Sequence, residues 1–252
     1  MCQLNPQRFR RFLALNNLPE EDNNRDGNDP AVFMSHALGL DDATLRRYKM
    51  RGGSTRPGPL TREELRQRCD VARSDDALRG AILSILAWGG MKPQNLRGFW
   101  RSGIGFETLI ELIRKMRVAK LPLDPVEAFS WFKAERQAGH LPFMRISFYT
   151  KILFFFFPGH PTSEAPILDQ FVAKSINALF DGNPIPMDGD FPSDTLGKAS
   201  ACNAYRRYLK CLDILRERLA QHYRRSFSRG EVEYCIFRPG PWRDHVTGLN
   251  RQ

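Results

Sequence analysis

Hydrophobic positions along the chain recur with a helical rather than a strand period. Phe106, Leu109, Ile110, Ile113 and Met116 form one i, i+3, i+4 stripe, and Tyr205, Tyr208, Leu212, Leu215 and Leu219 form another. The run from Asp75 to Trp88 is apolar enough for a buried helix, and Gly89-Gly90 behind it provides a C-terminal cap. Asp124-Pro125 opens a further helix, with an N-cap followed by proline at the first helical position; it runs to about Gln137 and ends at Gly139. Arg145 to Phe157 forms the next, so the two make a helical hairpin over about 124–157. No segment alternates in the manner of a strand. The pattern predicts an all-α fold.

Breaker-rich stretches divide the chain. Residues 1–59 read as a small helical extension and linker, with a polar run from Glu20 to Pro30 and the linker Arg51 to Pro59. Residues 60–252 read as the main helical domain. A second loop, Asp181 to Ser193, is rich in Gly, Pro and Asp and reads as a surface excursion, with a substrate-side lid as the alternative. Asp22, Asn24, Asp26 and Gly27 match the first half of a calcium-binding loop. Phe33 stands where the twelfth-position Glu is required, and Pro30 lies inside, so calcium is not expected.

The most informative chemistry lies between Ser147 and Ile176. Lys151 is a lone lysine at the head of a very apolar helix, and Asp169 is a lone aspartate ahead of another. An amine that must lose its proton near neutral pH belongs where its charged form is poorly solvated. A carboxylate that must stay ionised is well placed at a helix N-terminus. From the residues alone the pair has a plain reading too: Asp169 as an N-cap and Lys151 as a side chain whose stem covers apolar surface.

Composition narrows the partner. The chain has 252 residues, a formal net charge of +10, and 29 Arg against 9 Lys. That balance favours a polyanion, and arginine's planar fork suits phosphate. Cys2, Cys69, Cys202, Cys211 and Cys235 are scattered, with no C-x-x-C, so reduced thiols are expected and no zinc or iron–sulfur site. The longest apolar run, Ile152 to Phe157, is far short of a membrane span. Arg8, Arg10 and Arg11 interrupt any leader-like stretch, so a cytoplasmic, monomeric protein is expected.

The segment around Lys151 and Asp169 resembles the core of the helix-hairpin-helix DNA glycosylases, and most the 8-oxoguanine DNA glycosylase-like branch. Tyr149-Thr150-Lys151 sits in the family's lysine position, and Pro166-Ile167-Leu168-Asp169-Gln170-Phe171-Val172 is similar to its aspartate stretch. Further similarity runs through Ala87-Trp88-Gly89-Gly90-Met91, Tyr205 to Leu219 and Glu231 to Gly240. The chain departs from the family at the hairpin. The usual Leu-Pro-Gly-hydrophobic-Gly is here Leu141-Pro142-Phe143-Met144-Arg145, with both glycines missing. Either Arg145 and Ser147 replace the backbone contact to phosphate with side chains, or the hairpin grips DNA poorly.

The resemblance implies a bifunctional glycosylase and lyase. Lys151 would attack the sugar, Asp169 would stabilise positive charge on it, and no metal or organic cofactor is needed. A flipped base also needs aromatic walls. Trp88, Phe148 beside the lysine, and Trp242 in the Pro239-Gly240-Pro241 tail are the candidates, while Trp100 and Trp131 are expected in the core. Arg145, Ser147, Lys174, Arg206 and Arg207 are the candidate DNA contacts, and His140 and His160 flank the region. Two other readings stay open: a non-catalytic helical DNA-binding module, and an antiviral protein directed at modified phage DNA.

Overall fold

A computed structural model describes residues 2–16, 29–48, 59–158, 165–238 and 240–248. The calcium-like run at 22–27, His160 and nearly all of the 51–59 linker lie outside the described residues. The elements in chain order are β1 (Gln3–Leu4), α1 (Pro6–Leu15), α2 (Pro30–Leu38), α3 (Asp42–Arg47), α4 (Arg62–Val71), α5 (Asp75–Trp88), α6 (Pro93–Ser102) and α7 (Ile104–Val118). They continue with α8 (Pro125–Gln137), α9 (Ile146–Phe156), α10 (Gln170–Leu179), β2 (Phe180–Asp181), β3 (Met187–Asp188), β4 (Phe191–Pro192), α11 (Lys198–Tyr223), α12 (Arg229–Phe237) and α13 (Pro241–Gly248). The fold is all-α. Its strands are two-residue antiparallel ribbons, β1 with β2 and β3 with β4.

Local chemistry accounts for the helix ends. Ser74 caps α5 through Ala77 N–H, Asp124 caps α8 ahead of Pro125, and α4 and α12 each carry a full capping box, Thr61 with Glu64 and Ser228 with Glu231. α5 is the central element, buried along almost its whole length and packed against α2, α4, α7 and α9. The α8–α9 hairpin lies beside it, and α11 runs along α8.

The N-terminal helices pack on this core. α1 rests on α10 and α13, where Phe12 meets the edge of the Trp242 ring at 5.1 Å between centroids. The end of α3 crosses α5 so closely that a Cβ on Gly80 would stand 1.9 Å from the backbone oxygen of Tyr48. Gly80→Ala is therefore expected to destabilise the fold by about 3 kcal/mol, because backbone rather than a pliable side chain must move. Denaturant titration reads this directly, and a loss below about 0.5 kcal/mol, the scale of ordinary surface changes, would contradict the close crossing.

Candidate active site

Residues 165–169, ahead of α10, belong to no helix or strand, and side chains hold them in place. Thr150, on α9, accepts a hydrogen bond from Leu168 N–H at 3.2 Å and donates to the Ile146 carbonyl at 2.7 Å. The hydroxyls of Tyr205 and Tyr208, both on α11, donate to the carbonyls of Pro166 (3.0 Å) and Ile167 (2.6 Å). Tyr205 is itself fixed by stacking on Phe129 of α8, with centroids 4.3 Å apart. Buried backbone groups of an irregular segment need such partners. The consequence is positional, since Thr150 adjoins Lys151 and Leu168 adjoins Asp169.

The two carboxylate oxygens of Asp169 have separate partners. Oδ1 accepts from the N–H groups of Phe171 and Val172, each at 3.0 Å, and so caps α10. Oδ2 lies 3.7 Å from Lys151 Nζ, and Nζ also donates to the Ser147 carbonyl at 3.4 Å. Both side chains are buried. Asp169 is thus a cap and an ion-pair partner together, so the plain reading and the chemical one describe the same residue. Burial pushes the Lys151 ammonium below its usual range, against the attraction of the Asp169 and Glu233 carboxylates, and nearby Arg62 adds to the lowering. Desolvation outweighs the anion, a contest left open by sequence alone. The neutral amine, the form with a free lone pair, is correspondingly more abundant near neutral pH.

The pair forms the floor of a cavity of about 490 Å³. Gly89 and Gly90 line it from the end of α5, Lys92 and Asn95 from the start of α6, and Arg145, Ser147 and Phe148 from the start of α9. Gln170 and Phe171 line it from α10, and Phe191 from β4. No side chain caps the N-terminus of α6 or α9. The lining combines aromatic rings (Phe148, Phe171, Phe191) with polar and cationic groups (Lys92, Asn95, Arg145, Gln170), and the Arg145 guanidinium lies over the Phe191 ring at 5.4 Å.

The structure brings some sequence-predicted residues together and moves others away. Arg145, Ser147 and Phe148 join Lys151 and Asp169 at the cavity. Trp242 is not an exposed stacking surface: its indole is buried, edge-on to Phe12, and its N–H donates to Ser175 Oγ at 3.1 Å. The reason is that Pro241 opens α13 instead of continuing a breaker-rich tail. Trp88 is buried too, facing Phe155, Phe237 and Arg62, because α5 is enclosed on every side; the two glycines after it reach the cavity instead.

Lys174 does not line the cavity. It pairs with Asp190 at 2.7 Å and so secures the loop beside Phe191. Arg206 and Arg207 are exposed on α11, away from the cavity lining, with Arg207 donating to the Pro184 carbonyl of the same loop. His140 pairs with Glu135 at 2.6 Å, also outside the cavity. Trp100 and Trp131 pack against the core, partly buried.

Sequence reading missed Phe191, Lys92, Asn95 and the role of Gln170 and Phe171. The last two lie inside the Pro166–Val172 stretch, so their neighbourhood was marked. Phe191 carried only the weak signal of an aromatic in a polar loop, which is exposed and yet brings that ring to the cavity. At the hairpin, larger residues stand where the family has glycine. Phe143 adopts a φ of 61°, a left-handed conformation that costs about 1 kcal/mol or more for a bulky residue, and its ring lies over Gly98 of α6. Arg145 has φ −75° and ψ 168°, extended backbone open to any residue.

A second buried pair lies behind the first. Arg62 holds Glu233 through two hydrogen bonds, at 2.6 and 3.1 Å, beneath Trp88, Phe154, Tyr234 and Phe237. Burial pushes the Glu233 carboxyl up, against the opposing pull of Arg62. Removing one member leaves the other's charge buried. Glu233→Ala is expected to cost about 3–5 kcal/mol in denaturant titrations; a loss below about 1 kcal/mol would mean that Arg62 escapes to water.

The family model described as "Putative 8-oxoguanine DNA glycosylase OGG-like protein" matches residues 29–237, which hold the hairpin, both members of the Lys151–Asp169 pair and every residue lining the cavity. No curated protein and no solved structure gives a significant match. With most of its length covered by that model, the chain belongs to the OGG-like DNA glycosylase family.

Proposed function

We propose that the protein is a bifunctional DNA glycosylase and lyase that removes an oxidised purine of the 8-oxoguanine type through a covalent imine on Lys151. The observation that carries this reading is the buried Lys151–Asp169 pair, 3.7 Å apart on the floor of a cavity large enough for a base and its sugar. The neutral amine attacks C1′ of the extruded nucleotide. The C1′–N bond breaks, its electron pair leaves with the base, and the base takes up a proton. Loss of a proton from nitrogen and opening of the sugar ring, with protonation of its oxygen, give the imine. That imine acidifies the C2′–H, so abstraction of this proton expels the 3′ phosphate and nicks the strand; water then hydrolyses the imine and frees the lysine. Asp169 stabilises positive character on the sugar during base departure.

The surrounding residues fit an extruded base. Phe148 and Phe191 offer stacking faces, and Asn95 and Gln170 offer amides that can both donate and accept at a base edge. Lys92, Arg145 and Ser147, which line the same cavity, offer cationic and hydroxyl partners to the backbone phosphates that enter with it. The test is release of free base from duplexes carrying single defined lesions, with strand nicking followed in parallel. Release and nicking on an oxidised-purine duplex are expected. DNA binding without either, across a panel of lesions, would favour the non-catalytic module. Activity confined to a modified phage base would favour the antiviral reading.

A further inference from the structure

Two consecutive glycines end α5, and they are glycine for different reasons. Gly90 has a φ of 70°, the left-handed conformation that closes a helix, with its N–H bonded to the Ala87 carbonyl and that of Met91 bonded to the Leu86 carbonyl. A Cβ at Gly90 would meet nothing within 4 Å. Gly89 has φ −74° and ψ 0°, which any residue adopts without strain. Backbone conformation gives no reason for glycine there. Space does. A Cβ on Gly89 would stand 2.8 Å from Lys151 Cδ and 3.2 Å from Cε, and 3.0 Å from the Ile85 carbonyl oxygen. Carbon atoms in contact prefer about 3.5–4.0 Å.

We propose that Gly89 is a positioning residue of the site: its missing side chain forms the channel in which the Lys151 stem lies, and that channel holds the amine beside Asp169 and away from water. This inference rests on the lysine reading of the reaction. The Lys151 stem is long and rotatable, and against open solvent it would sample many rotamers. Across the bare backbone of Gly89 it runs to where Nζ meets the Ser147 carbonyl and Asp169.

A methyl group at position 89 cannot be relieved by moving α5, which is enclosed by α2, α4, α7 and α9. The pliable partner is the far end of Lys151, so the amine moves out toward the cavity. Two effects follow. The reacting nitrogen loses its alignment, and it regains water, so it holds its proton more firmly.

Two measurements on the full-length chain test this. The first is an NMR titration of the Lys151 side chain, assigned through Lys151→Gln, in wild type and Gly89→Ala. It needs no substrate. The midpoint is expected to move up in Gly89→Ala, toward that of an ordinary lysine, as burial of the amine is relieved. The second is borohydride trapping on a lesion-bearing duplex. The trapping rate near neutral pH is expected to fall about 100-fold, with the acid limb of its pH profile moved upward. The thermal midpoint should stay close to that of wild type, because a flexible side-chain end absorbs the added methyl.

An unchanged titration midpoint would overturn the inference. So would wild-type trapping in the variant, or a large loss of stability with an unmoved acid limb, which would make Gly89 merely structural. If wild type forms no adduct while the midpoint still moves, the positioning role stands and the lysine chemistry falls.

Discussion

Lys151→Gln is expected to abolish base release, nicking and covalent trapping, with a loss of at least about 10⁴-fold, the scale seen when an activated nucleophile is removed from a covalent enzyme. A glutamine amide nearly matches the lysine stem in volume but has no nucleophilic lone pair. The fold should tolerate it. The site gives up a poorly solvated ammonium, and Asp169 Oδ1 keeps both N–H partners on α10. DNA affinity should change by less than about 3-fold, because affinity comes mainly from phosphate contacts at the mouth and not from a buried amine. Single-turnover base release, a binding titration and a melting curve read the three outcomes together. Retained trapping in this variant would move the nucleophile elsewhere.

Asp169→Asn carries the next largest effect. Asparagine ranks with aspartate as an N-cap, so its carbonyl oxygen can take over the bonds to Phe171 and Val172 N–H, and stability should change by less than about 1 kcal/mol. The charge opposite Lys151 is lost, however, and base release should slow about 10²–10³-fold, as when a preorganised electrostatic group is removed from an active site. The sign of the pH effect follows from the same geometry. Asp169 attracts the Lys151 ammonium and raises its pKa, so its removal lets burial lower that pKa further. The acid limb of the residual activity should move to lower pH, opposite to the shift expected for Gly89→Ala. In wild type, activity should fall as pH drops through the lowered Lys151 pKa, because the protonated amine cannot attack. A melting-temperature loss without a rate effect would leave Asp169 as a cap and nothing more.

Local signals in the sequence were enough to place α5, α7, α8, α9 and α11. Serine, aspartate and proline mark the starts of α5 and α8, glycine pairs mark the end of α5, and apolar stripes mark α7 and α11, because each depends on residues a few positions apart. Asp169 was legible for a related reason, since it caps α10, whereas Lys151 lies midway along α9 and not at its head; hydrogen bonds involving Thr150, Tyr205 and Tyr208 bring the two together. What was not legible depends on distant partners. Trp242 is buried because Phe12 and Ser175 meet it, and neither is near it in the chain. Phe191 reaches the cavity because Asn177 bonds both backbone groups of Ile185 and Lys174 pairs with Asp190. The hairpin is a third case. Where the family has its first hairpin glycine, Phe143 adopts the left-handed backbone itself with its ring over Gly98, a partner distant in the chain.

The most direct test is to find which atom becomes bonded to DNA. Wild-type protein is incubated with an oxidised-purine duplex and borohydride, digested, and the cross-linked peptide mapped by mass spectrometry. A single adduct on Lys151 Nζ is expected. An adduct on any other amine, or base release with no adduct at all, would contradict it.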